Sequence, residues 1–278
     1  MALIKEEMNM KKKILALLLT MAMSLSLVAC GGEKSEVTSS DTDKSPVADE
    51  NSDGSWAVYW YLCGSDLETN GGFATTDIAE MMEVALPENV NVVIQTGGAS
   101  VWQNDMMDSS KLQRWLYNSE GLQLLEESET ANMGDAQTLY DFLNFANSNY
   151  PADKVAVTFW NHGGGSVNGA AFDEIHGLDS LDLSEMYQAF DAVWPADAEN
   201  PSLELVGFDT CLMATVDVAS VFSNFAKYLV ASEEVEPGNG WLYSGWLGAL
   251  ADDPSMDGAA LGTAICDTYY EGCEAVGT

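Results

Sequence analysis

Histidine is scarce in this chain: among 278 residues only His162 and His176 occur. No histidine or cysteine pair has the spacing of a zinc site, which argues against a zinc centre. Any chemistry that requires an imidazole must therefore use one of these two side chains. His162 follows an apolar run and precedes three glycines, whereas His176 has acidic neighbours and is expected in a solvated loop. His162 is thus the candidate for catalysis, and His176 is its rival.

Positive charge is also scarce. The chain has 10 lysines and arginines against 44 aspartates and glutamates, and its formal net charge is −34. A field of this sign repels nucleic acid and attracts cations and basic peptides, although the solubility of a surface protein would explain most of it. The composition therefore excludes nucleic acid as a partner and permits a basic protein or peptide substrate, or calcium.

The N-terminal apolar run, 14–28, is too short for a comfortable membrane span; it follows three lysines and ends at Ala29-Cys30. This pattern predicts a lipoprotein signal peptide over 1–29, cleaved before Cys30, whose thiol would carry lipid. The lipid would hold the protein on the extracellular face of the bacterial cell membrane. An ordinary signal peptide or a short anchor helix would also fit the run.

Large apolar residues are nearly absent from the segment that directly follows the predicted signal peptide. The segment 33–55 is rich in Ser, Thr, Asp, Glu and Lys, so 30–55 is predicted to be the lipidated cysteine and a disordered tether. Residues 56–278 are numerous enough for one domain with a sizeable core. No strand or cap follows the last predicted helix before Thr278, and we expect this domain to be truncated at its C-terminus.

Within 56–278, apolar runs of strand length alternate with helical patterns. Strands are predicted at 56–63, 90–96, 155–160, 203–208 and 228–231. Helices are predicted at 75–86 (capped by Thr76 or Asp77), 135–148, 183–193, 214–225 and 258–272. The segment 111–126 is typical of a β-hairpin, and 170–182 is interpreted as irregular. This alternation predicts an α/β three-layer sandwich, a mostly parallel sheet with helices on both faces.

Two of the predicted strands end in residues that can carry chemistry. The strand at 155–160 leads into Asn161-His162-Gly163, and the strand at 203–208 leads into Asp209-Thr210-Cys211. Ligands of such sheets bind beyond the carboxyl ends of the strands, so His162 and Cys211 are expected to meet there. An imidazole beside a thiol favours the thiolate, which is the nucleophile, and later protonates a leaving amine.

Acyl transfer also needs donors for the oxyanion that develops. The backbone amides of Gly163 and Cys211 are the candidates, because glycine lets a substrate carbonyl approach closely. A helix that begins near 210–214 would add the favourable dipole of its N-terminus to the thiolate.

Two short stretches resemble a known family. Asn-His-Gly-Gly-Gly at 161–165 and Phe-Asp-Thr-Cys-Leu-Met-Ala at 208–214 are similar to the histidine and cysteine motifs of the clostripain family of cysteine peptidases. The similarity continues through 231–241 and covers 56–278 as a peptidase domain. It implies the caspase-like sandwich of gingipains, legumain and separase, and a Cys–His dyad endopeptidase that cleaves after arginine or lysine. His162 and Cys211 occupy the matching positions.

The resemblance also implies a pocket for the basic side chain. The family carries an acidic residue two positions before the cysteine, which Asp209 matches; the alternative role of Asp209 is a cap for the following helix. The family tends to carry an aspartate where this chain has Asn239, so one pocket charge is missing and basic selectivity is in question. Enzymes of this kind resemble zymogens that cut themselves after a basic residue between the two motifs, yet 155–226 contains none.

No cofactor is required by the sequence, but the family is often calcium-dependent. The metal site is unknown, because no spacing resembles an EF-hand loop. Loop carboxylates are the candidate ligands, such as those around Asp66, Glu68, Asp173 and Asp179.

Two other functions fit the same sequence. One is a non-catalytic surface binding lipoprotein that keeps the peptidase fold, and the other is a different cysteine hydrolase or a transpeptidase. A disulfide to Cys211 would disable it as a nucleophile, and Cys266 and Cys273 lie seven residues apart in a predicted helix, beyond disulfide reach. We expect free thiols after Cys30.

Overall fold

The middle strand of the molecule is β1 (Trp56–Cys63), and all eight of its residues are buried. Side chains alternate between the two faces of a strand, so a strand buried throughout needs an apolar layer on each side. Tyr59 and Tyr61 lie in one hydrophobic cluster, and Trp60 and Leu62 lie in another. The computed structural model describes residues 54–277; the predicted signal peptide, Cys30 and nearly all of the predicted tether lie outside them.

The main sheet has seven strands in the order β4-β3-β2-β1-β5-β8-β9. Five strands are parallel, and the hairpin of β3 and β4 adds an antiparallel edge. A second sheet pairs β6 with β7. After β1 the strands are β2 (Val90–Gly97), β3 (Lys111–Asn118), β4 (Gly121–Glu129), β5 (Lys154–Trp160), β6 (Ala170–Asp173), β7 (Asp179–Leu181), β8 (Leu203–Asp209) and β9 (Ala226–Val230).

Helices cover both faces of the main sheet. They are α1 (Ser65–Gly71), α2 (Phe73–Met82), α3 (Ala136–Asn149), α4 (Gly165–Asn168), α5 (Leu183–Val193), α6 (Val216–Phe222), α7 (Tyr243–Asp252) and α8 (Gly258–Val276). Apolar residues of α3, α5 and α6 lie in the cluster that contains Tyr59, and those of α2, α7 and α8 lie in the cluster that contains Trp60. The predicted three-layer α/β sandwich with a mostly parallel sheet is therefore confirmed.

Several local predictions were wrong. The segment 170–182 is not irregular, because it contains β6, a turn and β7. The helix after Cys211 is α6, which begins at Val216 behind its N-cap Thr215 and not at position 214. The helix predicted at 75–86 is α2, which begins at Phe73 after Gly72 without a side-chain cap. Sequence patterns also missed the helices α1, α4 and α7.

Three further observations concern Ser55, the thiols and the lengths of the apolar helices. Ser55 is not part of a tether, since its N–H and hydroxyl both donate to Asp153 Oδ2 at 2.9 Å. Cys63, Cys211 and Cys266 carry free thiols, as expected. Between residues 54 and 277, the longest apolar helices fall short of what is needed to cross a membrane.

Candidate active site

The register of two neighbouring strands brings the candidate nucleophile and imidazole together. Trp160 of β5 pairs with Asp209 of β8, so His162 and Cys211 each lie two residues beyond the same rung of the ladder. Both line one cavity of about 230 Å³. The expectation that these two strand ends meet thus follows from parallel pairing, and the cavity lies at the carboxyl edge of the sheet.

Asn161 fixes the loop that carries His162. Its amide Nδ2 donates to the carbonyl of Cys63 at the end of β1 (2.7 Å), and its Oδ1 accepts from the N–H of Phe172 in β6 (2.7 Å). The ring of Phe172 in turn meets the imidazole of His162 edge to face, with centroids 6.3 Å apart. The small sheet of β6 and β7, which sequence patterns did not predict, therefore packs against the loop that carries His162.

Asp66 is the direct partner of the imidazole. Its Oδ1 lies 2.8 Å from Nε2 of His162, and both side chains are about two-fifths exposed. Partial burial opposes ionisation of Asp66, but the hydrogen bond and charge of His162 lower the pKa of the carboxyl overall. With Nε2–H held by the carboxylate, Nδ1 is the ring nitrogen left for proton exchange.

Gly163 packs against the nucleophile loop so closely that no side chain fits. A Cβ at this position would lie 2.0 Å from the carbonyl oxygen of Cys211. The N–H groups of Gly163 and Cys211 have no acceptor among residues 54–277. Leu212, at φ 65°, turns the chain away immediately after the thiol. A helix N-terminus was expected beside Cys211, where its dipole would favour the thiolate. It does not lie there, because α6 begins five residues later.

Asp209 is buried at the end of β8 and faces the cavity. Its Oδ1 accepts from the N–H of Trp241 (3.1 Å) and its Oδ2 accepts from the hydroxyl of Tyr243 (2.9 Å). Burial raises the pKa of Asp209, although both hydrogen bonds favour its charged form. Its alternative role as a helix cap is wrong, since Thr215 caps α6.

The loop before α7 contributes a residue that sequence reasoning did not single out. Glu236 lines the cavity beside Asp209, and its Oε2 is buried without a hydrogen-bond partner in the described part of the chain. Asn239 is not among the lining residues; its Nδ2 donates to the carbonyl of Gly240 (3.3 Å) and contacts Cys273 Sγ (3.9 Å). The structure therefore places Asp209 and Glu236 in the lining of one cavity, whereas Asn239 is not part of that lining.

His176 lies outside the cavity, and the candidate calcium ligands make hydrogen bonds to other residues of the chain. His176 Nδ1 contacts Asp173 Oδ2 (3.0 Å) in the turn between β6 and β7, outside the cavity. Glu68 accepts from the N–H of Thr75, and Asp179 accepts from Asn132. Over the described range no group of three or more His, Cys, Asp or Glu side chains is arranged to hold a metal ion. These carboxylates do not fit a calcium site, and calcium dependence stays a prediction.

Comparison with known proteins agrees with the geometry. A family model described as the clostripain family matches residues 60–278. The chain is similar to clostripain of Hathewaya histolytica, 36% identical over 128 residues that cover 41% of this chain and 24% of that protein.

Two solved structures share the fold. One is a secreted cysteine protease from Bacteroides thetaiotaomicron in complex with an irreversible peptide inhibitor, with TM-score 0.63 and 23% identity over 80% of this chain and 59% of that one. The other is an inactive zymogen protease from Parabacteroides distasonis, with TM-score 0.59 and 18% identity over 79% of this chain and 59% of that one. The chain spans less than two thirds of the length of each of these relatives. Because the family model covers most of its residues, the chain belongs to the clostripain family.

Proposed function

We propose that this protein is a cysteine endopeptidase with Cys211 as nucleophile and His162 as general acid and base. The observation that carries the proposal is that both residues lie two positions beyond one rung of β5 and β8 and line the same cavity. A thiol and an imidazole so placed, with Asp66 on the far nitrogen of the ring, have the parts that acyl transfer requires.

The reaction proceeds in two halves. Nδ1 of His162 accepts the thiol proton, and Sγ of Cys211 attacks the scissile carbonyl carbon to form a tetrahedral oxyanion. His162 then returns the proton to the leaving amine as the C–N bond breaks, which leaves a thioester. Water, deprotonated by His162, attacks the thioester, and the thiol and the carboxylic acid are released.

Three groups support these steps. The N–H groups of Gly163 and Cys211 are the donors for the oxyanion, since neither has another acceptor in residues 54–277. Asp66 holds the ring through Nε2 and stabilises the imidazolium that forms after proton transfer. Asp66 is a positioning residue, because it acts through His162.

The substrate class we propose is a protein or peptide with arginine or lysine before the scissile bond, the P1 residue. Asp209 lies in the cavity beside the nucleophile, and a buried carboxylate there favours a cationic side chain. We also propose that lipid on Cys30 anchors the enzyme at the outer face of the cell membrane. The Bacteroides relative is itself described as secreted, which supports export.

Relative reactivity of the cysteines tests this function against the binding lipoprotein. Purified protein is treated briefly with iodoacetamide, and each thiol is quantified by mass spectrometry. We expect Cys211 to be alkylated far faster than Cys63, Cys266 and Cys273, and its advantage to disappear in His162→Ala. Uniformly slow alkylation would instead favour a surface binding protein.

A panel of fluorogenic peptides that differ only at P1 tests the specificity. Arginyl and lysyl peptides should be hydrolysed far faster than alanyl or glutamyl peptides. Hydrolysis without preference for a basic P1 would leave a cysteine peptidase standing but would remove the basic specificity.

A further inference from the structure

The cavity at the nucleophile holds two carboxyl groups side by side. We infer that Glu236, and not position 239, is the second acidic residue of the P1 pocket, and that it shares one proton with Asp209 until a cationic P1 side chain displaces that proton. This inference rests on the proposed cleavage after basic residues and adds a specific residue and a proton to it.

Placement is the first argument for Glu236. It lines the cavity together with Asp209 and Cys211, and the charge of Asp209 acts on the carboxyl of Glu236 there. Its Oε2 is buried and has no partner in the described residues. A buried carboxyl oxygen without a partner is costly, so a ligand that donates a hydrogen bond there gains more than it would at a satisfied site.

The second argument is the lack of an internal counter-ion. The structure describes four lysine and arginine side chains, and each is engaged far from the cavity: Lys111 with Glu129, Arg114 with Glu126, Lys227 with Glu204, and Lys154 with the carbonyls of Ser255 and Met256. Two adjacent buried carboxylates cannot both ionise without compensation. A proton compensates them in the empty pocket, and a guanidinium or ammonium can do so in the filled one.

The ionisable groups around the pair include no permanent cation. Among residues 54–277, none of those that face it from the strands, the loop and the two helices is a lysine or arginine; they are Asp77, Glu80, Cys211, Tyr243 and Tyr269, with His162 on the cavity wall. Burial, and then the charge of Asp209, raise the pKa of Glu236 well above its usual range. Glu236 therefore carries the shared proton at neutral pH.

Charge is conserved when the pocket fills. Before binding, Glu236 is a neutral acid and Asp209 is a carboxylate, which gives one negative charge. On binding, the O–H bond of Glu236 breaks and its proton passes to solvent, while one cation enters between two carboxylates. The net charge is again minus one. The new negative charge, on the carboxylate of Glu236, is then paired directly with the cationic side chain of the ligand. A neutral P1 side chain cannot drive this exchange.

Gly240 keeps the acidic pair accessible. It has φ +55°, and a Cβ there would lie 2.9 Å from Asp209 Oδ1. Asn239, its neighbour, is turned toward Cys273 and takes no part. An acidic residue three positions upstream thus replaces the aspartate that the family tends to carry at 239.

The test is calorimetric and does not depend on turnover. N-acetylarginine amide is titrated into Cys211→Ala at pH 7 in two buffers with different ionisation enthalpies, which gives the number of protons released. We expect about one proton released per ligand. In Cys211→Ala/Glu236→Gln the number of protons released should fall to about zero. The affinity for the arginine ligand should fall at least about tenfold. Cys211→Ala/Glu233→Gln removes a charge from an exposed neighbour and should match the parent.

N-acetylcitrulline amide, a neutral analogue of the same shape, should bind weakly and release no proton. Arginine binding without proton release, or release that survives Glu236→Gln, would overturn the role of Glu236 while basic specificity stands. If the arginine ligand does not bind and arginyl peptides are not hydrolysed either, the proposed function itself fails. If Glu236→Gln does not fold, the Cys211→Ala protein alone is sufficient: binding of the arginine ligand without proton release rejects the inference. Proton release that is retained in Cys211→Ala/Glu236→Asp supports it.

Discussion

Asp66 Oδ1 lies 2.8 Å from Nε2 of His162, although 96 positions separate the two residues in the chain. In the proposed mechanism this contact selects the tautomer with Nδ1 free, and it stabilises the imidazolium that forms when Cys211 is deprotonated. It also supplies the orientation that a histidine on a glycine-rich loop would otherwise lack.

Asp66→Asn should therefore lower kcat by about 10²-fold and change KM little, because the ring loses both its orientation and its charge partner. Asp66→Glu should recover part of the rate. Asp105→Asn, a change at an exposed aspartate outside the cavity, is the matched control; equal effects of the two variants would reduce Asp66 to a surface charge.

Gly163→Ala should abolish most of the activity. The new Cβ would lie 2.0 Å from the carbonyl oxygen of Cys211, so either the histidine loop or the nucleophile loop must move. A shift of about 1 Å at the reacting groups costs about 10²-fold in rate. Gly248→Ala, inside α7 with open space around it, should keep full activity and stabilise the helix by about 1 kcal/mol. Steady-state kinetics and thermal melts of the two variants decide, and an active Gly163→Ala would show that the loops do not touch as described.

Glu236→Gln should make the protein more stable at neutral and alkaline pH. The pKa of Glu236 is raised in the folded state, so the folded protein binds more protons than the unfolded chain above about pH 4.5, the ordinary value. Stability contributed by the protonated form is present below that pH and falls as pH rises. The glutamine stays neutral, and its gain should be on the order of 1–3 kcal/mol at pH 8 and near zero at pH 4. Denaturant unfolding at both values measures it; an equal effect at both would contradict the raised pKa.

The chain should not cut itself after a basic residue between His162 and Cys211. No lysine or arginine occurs between Lys154 and Lys227. Intact-mass analysis of active protein should find this segment uncut. A self-made cut there, after an acidic or apolar residue and lost in Cys211→Ala, would contradict the proposed basic specificity.

The strands and their meeting point were predictable from sequence because they depend on local patterns. β1, β2, β5 and β8 are apolar runs within two residues of the predicted bounds, since helices cover both faces and demand such runs. Parallel pairing then places the residues that follow β5 and β8 at one edge. That His162 and Cys211 line one cavity could be predicted for that reason.

The contacts that refine the site could not be predicted, because they join distant segments. β6 and β7 have only four and three residues, too few for a strand pattern, and the buried carboxylate of Asp173 at the end of β6 accepts from the N–H of Met133, 40 positions away. Asp66 attracted attention only as a loop carboxylate. Glu236 lies inside the stretch 231–241 that carries the family resemblance, but only its buried Oε2 and its place with Asp209 in the cavity lining distinguish it from its acidic neighbours.

The most direct test of the central claim is hydrolysis of an arginyl fluorogenic peptide by the wild-type protein and by Cys211→Ala. Cys266→Ala, which removes an exposed thiol on α8, is the control. The account predicts a loss on the order of 10⁴-fold or more in kcat/KM for Cys211→Ala and an unchanged rate for Cys266→Ala. Full activity in Cys211→Ala would contradict it.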